Sequence, residues 1–113
     1  MNMRVLCVQP HPRCSRALAE LLDGLGYDVV TAMSGREALE LLREQPFDGV
    51  LLEYELPDAN GVCVRSDMKR IVPDIPVLLF FGVGHQTPML VRFFDLYLRD
   101  GRSRDSPPEA MAS

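Results

Sequence analysis

The sequence predicts one α/β domain built on a parallel β-sheet with helices on both faces. Three observations predict it. Short apolar runs alternate along the chain with segments of helical periodicity, which is typical of βαβ units. The third run, Val50-Leu51-Leu52, is apolar at successive positions, as in a strand buried on both faces. The length of 113 residues allows one hydrophobic core.

Start and stop signals mark the first two βα units. Residues 4–8 form an apolar, partly β-branched run, and Pro10 cannot continue it within a central sheet. Leucines and alanines then recur at helical spacing until Gly24. A second strand is predicted at residues 28–32. The segment Ser34-Gly35-Arg36-Glu37 is a capping box and therefore predicts the start of a second helix.

The next units follow the same pattern. Residues 48–54 are predicted as the third strand, and residues 62–72 as the third helix, which Pro73 interrupts. Residues 75–80 are predicted as the fourth strand, with Pro76 tolerated near its start.

The C-terminal part leaves two alternatives open. Residues 89–94 can form a short helix that precedes a fifth strand at 96–98, or one helix can run from 88 to 98. We place the domain at residues 1–101. Residues 102–113, rich in serine and proline, are predicted as a flexible tail or a stub of the last helix.

Right-handed crossovers between these units predict a flavodoxin-like, doubly wound arrangement of five strands in the order 2-1-3-4-5, with a shortened C-terminal part. Strands one and three are then neighbours at the point where the strand order reverses, and open α/β folds place their sites there. Gln9-Pro10 and Glu53 should therefore face each other across a crevice at the carboxyl edge of the sheet.

Composition excludes several classes of function. The net charge of -4 argues against a nucleic-acid partner, because such a surface needs clustered basic residues. No apolar run is long enough to span a bilayer, and the N-terminus lacks a secretory-signal pattern, so we expect no membrane association. Three cysteines, an odd number, indicate a reducing cytoplasm rather than a disulfide framework.

Four segments in order, "RVLCV", "GYDVVTAMSGREALELL", "FDGVLLEYELPDANG" and "DIPVLLFF", resemble bacterial response-regulator receiver domains. The resemblance covers about residues 3–101. It implies a signalling module of a two-component phosphorelay system, with an aspartate phospho-acceptor that precedes an "LPxxxG" loop. It also implies a pair of acids after strand one, a hydroxyl after strand four and a lysine after strand five.

This sequence departs from the family pattern at each of those positions. The matching positions hold Gln9, Pro10, Glu53, Phe81 and Asp100. A shift of one residue in the match to "YLRDG" would place Arg99 at the lysine position instead.

These departures predict a pseudo-receiver that is not an enzyme and has no catalytic residue or metal. Mg²⁺ prefers carboxylate oxygens, so loss of the acidic pair removes most of its attraction to the crevice. Without the metal and the lysine, phosphoryl transfer loses its electrostatic support. Glu53 also carries one methylene more than aspartate, which displaces its carboxylate. Two interpretations of Glu53 stay open: a solvated carboxylate, or a fixed mimic of a phosphoryl group.

Other residues suggest a metal site or a protein contact. Cys7, His11 and Cys14 are close in sequence but match no common zinc spacing. A short helix cannot bury three neighbouring aromatic residues on one side, so at least one of Phe93, Phe94 and Tyr97 is expected to face outward. The three residues are therefore predicted to mark an interaction face. The predicted partner is a histidine kinase, another signalling protein or a second copy in a homodimer.

Three functions are therefore ranked. The first is a pseudo-receiver that acts through protein contacts without phosphorylation. The second is a receiver phosphorylated at a non-standard site, or inefficiently on Glu53. The third is a small flavodoxin-like enzyme or ligand-binding protein, which ranks last because Gln9, Glu53 and Phe81 provide no nucleophile–base pair.

Overall fold

A computed structural model describes residues 2–82, 87–100 and 109–111. Strands and helices alternate throughout, and the first four strands and three helices agree with the sequence prediction to within a few residues. In chain order the elements are β1 (Arg4–Val8), α1 (Pro12–Gly24), β2 (Asp28–Ala32), α2 (Gly35–Glu44), β3 (Gly49–Glu53), α3 (Gly61–Ile71), β4 (Val77–Phe81), α4 (Thr87–Asp100) and β5 (Glu109–Met111).

The strands form one parallel sheet in the order β2-β1-β3-β4-β5, so the predicted order of the first four strands is confirmed. The fifth strand, however, is Glu109–Met111 and not residues 96–98. It pairs with β4 from Leu79 to Phe81, in a part of the chain for which a tail or a helix stub was predicted. The remaining residues of the predicted tail, 102–108 and 112–113, lie outside the described residues.

Local capping explains where α2 and α3 begin. The Ser34 side chain accepts a hydrogen bond from the backbone N–H of Glu37, while the Glu37 carboxylate accepts one from the N–H of Met33. The Asn60 side chain accepts a hydrogen bond from the N–H of Cys63 in the same way. These side chains bond amides that lack a partner inside the helix, and the predicted capping box is confirmed.

The sheet separates two apolar clusters. On one side, which we call the α2/α3 face, buried residues of β1, β3 and β4 pack against those two helices; the cluster includes Leu6, Val8, Ala38, Leu42, Val50, Leu52, Val64, Met68, Val77 and Leu79. On the other side, the α1/α4 face, it includes Val5, Cys7, Leu18, Leu22, Leu51, Leu78, Phe80, Leu90, Val91, Phe94, Tyr97 and Leu98.

Helix α4 differs most from the prediction of a short helix and a strand. It is continuous, as the second alternative proposed, and its buried residues recur at helical spacing. Leu98 contacts the sheet so closely that a Cβ added to Gly49 would lie 2.5 Å from Leu98 Cδ2. Leu96, inside the segment predicted as a strand, is 63% exposed. Helical periodicity therefore decides which of these residues enter the core.

The position of α4 also changes the hand of one connection. Helices α1 and α4 share a face, but α1 leads to a strand on one side of β1 whereas α4 leads to a strand on the far side of β4. The β4–α4–β5 unit therefore has the opposite hand to β1–α1–β2. Right-handed crossovers were expected throughout, and this last unit contradicts the expectation.

Candidate functional site

The candidate site lies at the carboxyl edge of the sheet. Gln9 directly follows β1, Glu53 ends β3, and Phe81 ends β4 on the neighbouring strand. The Gln9 Nε2 donates a long hydrogen bond of 3.4 Å to Glu53 Oε1. Gln9 and Glu53 therefore face each other, as the predicted strand order requires.

The Glu53 carboxylate is bound by the chain itself. The residue is only 3% exposed. Its Oε2 accepts a hydrogen bond of 2.9 Å from the backbone N–H of Glu55 and a longer one of 3.4 Å from that of Gly82. The interpretation of Glu53 as a solvated carboxylate is therefore wrong. The side chain is long enough to fold back onto two loops, so both of its oxygens find donors inside the protein.

Gln9 continues this network towards α1. Its side chain is fully buried, and its Oε1 accepts a hydrogen bond of 3.1 Å from the backbone N–H of His11. An amide has one acceptor oxygen and one donor nitrogen, so it can bond a carboxylate on one side and an N–H on the other. Pro10, half-buried beside it, has no polar side-chain atom. The two positions that resemble the family's acidic pair thus supply one neutral group.

Phe81 occupies the hydroxyl position and stacks on Tyr54. Their ring centroids are 4.5 Å apart with an interplanar angle of 30°. Glu53 pairs with Phe80 in the sheet, which places the following residues, Tyr54 and Phe81, side by side. Sequence reasoning did not single out Tyr54. The available signal was its position opposite a second aromatic residue, since aromatic cross-strand pairs stabilise a sheet.

Neither candidate for the lysine position reaches the site. Arg99 donates a hydrogen bond of 2.6 Å to Asp95, and its guanidinium lies 5.7 Å from the centroid of the Tyr27 ring. Tyr27 directly precedes β2, at the amino edge of the sheet, whereas Glu53 is at the carboxyl edge. Asp100 is the next residue of the same helix. The prediction that Asp100 or Arg99 takes the lysine position of the pocket is therefore wrong, because Thr87–Asp100 is a helix that runs away from the crevice.

Asp58 is a further residue that the sequence analysis missed. Its two carboxylate oxygens accept hydrogen bonds of 2.9 Å from the backbone N–H groups of Gly35 and Arg36, at the start of α2. These bonds, the one from Gly35 foremost, hold the pKa of Asp58 below its usual range. They also attach the β3–α3 loop to α2. The available signal was an acidic residue in a loop together with a helix start, whose backbone N–H groups attract negative charge.

The predicted interaction face is only partly exposed. Phe94 is fully buried and Tyr97 is 5% exposed, so both belong to the core between α4 and the sheet. Only Phe93, at 45% exposed, faces outward. The prediction is wrong for Phe94 and Tyr97, because α4 is long enough to bury two of the three aromatic residues on one side.

The residues of the crevice do not fit Mg²⁺. Glu53 is the carboxylate that Gln9 contacts, and both Glu53 oxygens already accept hydrogen bonds from N–H groups. A hard cation needs several oxygen ligands, usually with more than one carboxylate or phosphate. Across the described residues, no group of three or more histidine, cysteine, aspartate or glutamate side chains could hold a metal. Cys7 is buried, which raises its pKa to about 12 and so disfavours the thiolate that binds metals.

Comparison with known proteins places this geometry in a family. The family model of the response regulator receiver domain matches residues 5–100. Two relatives are the transcriptional regulatory protein ZraR of Escherichia coli K12, 40% identical over 78 residues, and the two-component response regulator ARR18 of Arabidopsis thaliana, 46% identical over 81 residues. The matches cover 69% and 70% of this chain but only 18% and 12% of the relatives.

A solved structure agrees over the whole chain. The response regulator TrrA of Thermotoga maritima, solved in complex with Mg(2+)-BeF, has a TM-score of 0.73 and 26% identity, and the match covers 100% of this chain and 87% of that one. The chain therefore belongs to the response-regulator receiver family, with the flavodoxin-like fold of that family. Receiver domains of two-component systems interact with histidine kinases or other signalling proteins. Within the described residues, no helix is long and apolar enough to cross a membrane.

Proposed function

We propose that this receiver domain is a pseudo-receiver that signals through protein contacts and is not phosphorylated. One observation carries the proposal: the carboxylate at the phospho-acceptor position is 3% exposed and has both oxygens hydrogen-bonded within the chain. A nucleophilic carboxylate needs an oxygen directed at the phosphorus atom at near-attack distance. Whichever Glu53 oxygen attacked would first have to turn away from its present donor: Gln9 for Oε1, or the N–H groups of Glu55 and Gly82 for Oε2.

The groups around Glu53 support the same proposal. A phosphoryl group in transfer needs positive charge and hydrogen-bond donors at its oxygens. Gln9 provides a neutral amide and Phe81 an aromatic ring, while Arg99 lies at the other end of the domain. We propose that Mg²⁺ binding has been lost together with these groups and that the domain is not an enzyme.

Glu53 has a structural role in this proposal. Its hydrogen bonds to the N–H groups of Glu55 and Gly82 join the β3–α3 loop to the residue after β4. In a switching receiver a bound phosphoryl group would order such loops. Glu53 places a carboxylate group at the same edge, joined to both loops, which supports its interpretation as a fixed mimic of a phosphoryl group.

Location and partners belong to the same proposal. We place the domain in the cytoplasm of a bacterium, which three free cysteines, Cys7, Cys14 and Cys63, support. Its partner is a protein: a histidine kinase, another signalling protein or a second copy. The net charge of -4 supports the absence of a nucleic-acid partner.

Phosphorylation can be tested directly on the full chain. We expect no mass gain by intact-protein mass spectrometry after incubation with acetyl phosphate and Mg²⁺, because no acceptor oxygen is available. A working receiver domain treated in parallel confirms that the reagent is active. The Glu53→Gln variant serves as the matched control.

A base-labile gain of one phosphoryl group would contradict the proposal. If Glu53→Gln abolished that gain, the receiver would be phosphorylated on Glu53. If the gain persisted in the variant, the receiver would be phosphorylated at a non-standard site.

A further inference from the structure

A groove runs between α2 and α3 on the outer surface of the domain. Its first part is a cleft of about 440 Å³, whose lining comes from both helices and includes Arg36, Leu39, Glu40, Arg43, Cys63 and Val64. Its second part is a cleft of about 450 Å³ near the ends of the same helices, and Arg43 lines this cleft as well. The two clefts therefore join into one groove, which we call the α2–α3 groove, along most of α2.

The floor of the α2–α3 groove is apolar. In the first cleft Val64 is buried and Leu39 is half-buried, and in the second Ile71 and Val72 are half-buried. The helices approach closely where the groove begins, since a Cβ on Gly35 would lie 2.8 Å from Val64 Cγ2. A groove between two packed helices, about 15 Å long for the ten residues of α2, suits the apolar side of a third helix.

Three charged residues of α2 border the groove. Arg36 and Arg43 are seven residues apart, which is about two helical turns, and Glu40 lies between them. Within the described residues, the side chains of Glu40 and Arg43 have no hydrogen-bond or ion-pair partner. The Arg36 guanidinium acts on the carboxylate of Asp58 through its charge, without a hydrogen bond. These three charges are therefore available to a partner.

The charges select the occupant of the groove. On the α3 side, Asp67 forms an ion pair of 3.2 Å with Arg70, so its charge is already offset. We propose that the α2–α3 groove binds an amphipathic helix of a protein partner, whose apolar side packs on the groove floor and whose acidic residues, spaced seven apart, pair with Arg36 and Arg43. A basic residue midway between those acids faces Glu40. This inference names the partner of the contact function proposed above and rests on it.

A synthetic helical peptide tests the proposal on the full chain. The probe carries leucines at helical spacing, two glutamates seven residues apart and a lysine midway between them, and it contains no cysteine. A charge-reversed peptide, with lysines in place of the glutamates and glutamate in place of the lysine, is the matched control. By fluorescence anisotropy we expect saturable binding of the probe and roughly fivefold weaker binding of the control, because like charges then face each other.

Cys63 reports where the peptide binds. It is exposed and lines the groove, whereas Cys7 is buried. We expect the bound probe to slow alkylation of Cys63 by iodoacetamide severalfold and to leave the rate at Cys14, half-buried on α1, unchanged. Protection of Cys63 that instead grew with protein concentration in the absence of peptide would show a second copy in the groove, and would overturn the proposal.

Charge reversal on the protein tests the pairing. Arg43→Glu should weaken binding of the probe roughly fivefold and should strengthen binding of the charge-reversed peptide. Arg16→Glu is the matched control, since it makes the same change at an exposed position of α1, on the other face of the sheet. It should alter the binding of neither peptide.

Three further results would overturn the proposal: no saturable binding of either peptide at millimolar concentration, equal binding of both peptides, or binding that leaves Cys63 unprotected. Because the phosphorylation test does not involve this groove, such a failure would leave the loss of phosphorylation untouched. A phosphorylated chain that still bound the probe would refute only the proposed loss of phosphorylation.

Discussion

The two faces of the sheet follow from the sequence to different extents. On the α2/α3 face, capping by Ser34 and Asn60 marks where each helix begins, and both helices lie where right-handed crossovers place them. On the α1/α4 face, α4 packs beside α1, where no local signal in the sequence predicts it. Capping and periodicity determine where a helix begins and which of its sides is apolar. They do not determine which face of a sheet that apolar side covers.

Phe93 and Phe94 give the sharpest local contrast on the α1/α4 face. They are adjacent and chemically identical, yet one is 45% exposed and the other fully buried. Phe94 lies 6.4 Å from the Tyr27 ring, in the core that joins α4 to α1. The difference arises from the position of the helix alone, so it provides a direct test of that position.

The largest expected effect separates these two phenylalanines. Phe94→Ala should lower the free energy of unfolding by about 3–5 kcal/mol, because it opens a cavity in the core. Phe93→Ala, its matched control, should lower it by less than about 1 kcal/mol in the monomer. Urea denaturation of dilute protein measures both. If the two variants lost equal free energy of unfolding, or if Phe93→Ala lost more, α4 would not cover the α1/α4 face as described.

A second pair of variants compares the faces through glycine. A Cβ on Gly61, at the start of α3, would lie 2.8 Å from the backbone oxygen of Glu53 and 2.8 Å from Tyr54 Cα. A Cβ on Gly49 would instead meet the end of the Leu98 side chain, at 2.5 Å from Cδ2. A side-chain end can move more easily than backbone. We therefore expect Gly61→Ala to cost about 2–3 kcal/mol and Gly49→Ala a smaller amount.

Thermal or urea unfolding of the two glycine variants decides this comparison. Gly24→Ala is the control, since a Cβ there meets no atom within 4 Å. A Gly49→Ala variant less stable than Gly61→Ala would show that Leu98, and with it α4, is held more rigidly than α3. The relative rigidity of the two faces would then be the reverse of our expectation.

How much of the structure the sequence predicts depends on how far apart along the chain the interacting residues lie. The order of the first four strands, the capping of α2 and the approach of Gln9 to Glu53 follow from local pattern and topology, and the structure confirms them. The burial of Glu53 required knowledge of Glu55 and Gly82, whose N–H groups converge only after folding. The positions of α4 and β5 required knowledge of tertiary packing. Sequence periodicity does not determine such long-range packing.

The smallest expected effect concerns Asp58, whose carboxylate links the β3–α3 loop to α2 on the better predicted face. Hydrogen bonds from Gly35 and then Arg36 hold the pKa of Asp58 below its usual value, so the folded state binds a proton there less readily than the unfolded chain. The resulting stability is present above the unfolded pKa of about 3.9 and is lost as the pH falls through the folded value.

Asp58→Asn should therefore lower the free energy of unfolding by about 1 kcal/mol at pH 7, the usual contribution of a helix-capping residue. The difference in free energy of unfolding between Asp58→Asn and the unmodified chain should shrink as the pH is lowered from about 5 towards the folded pKa of Asp58. Urea denaturation at several pH values measures it, with Asp23→Asn, an exposed position on α1, as the control for loss of one charge. If this difference in stability stayed constant or grew on acidification, the Asp58 carboxylate would not hold the start of α2. The β3–α3 loop, which donates a hydrogen bond to Glu53, would then be anchored by other contacts.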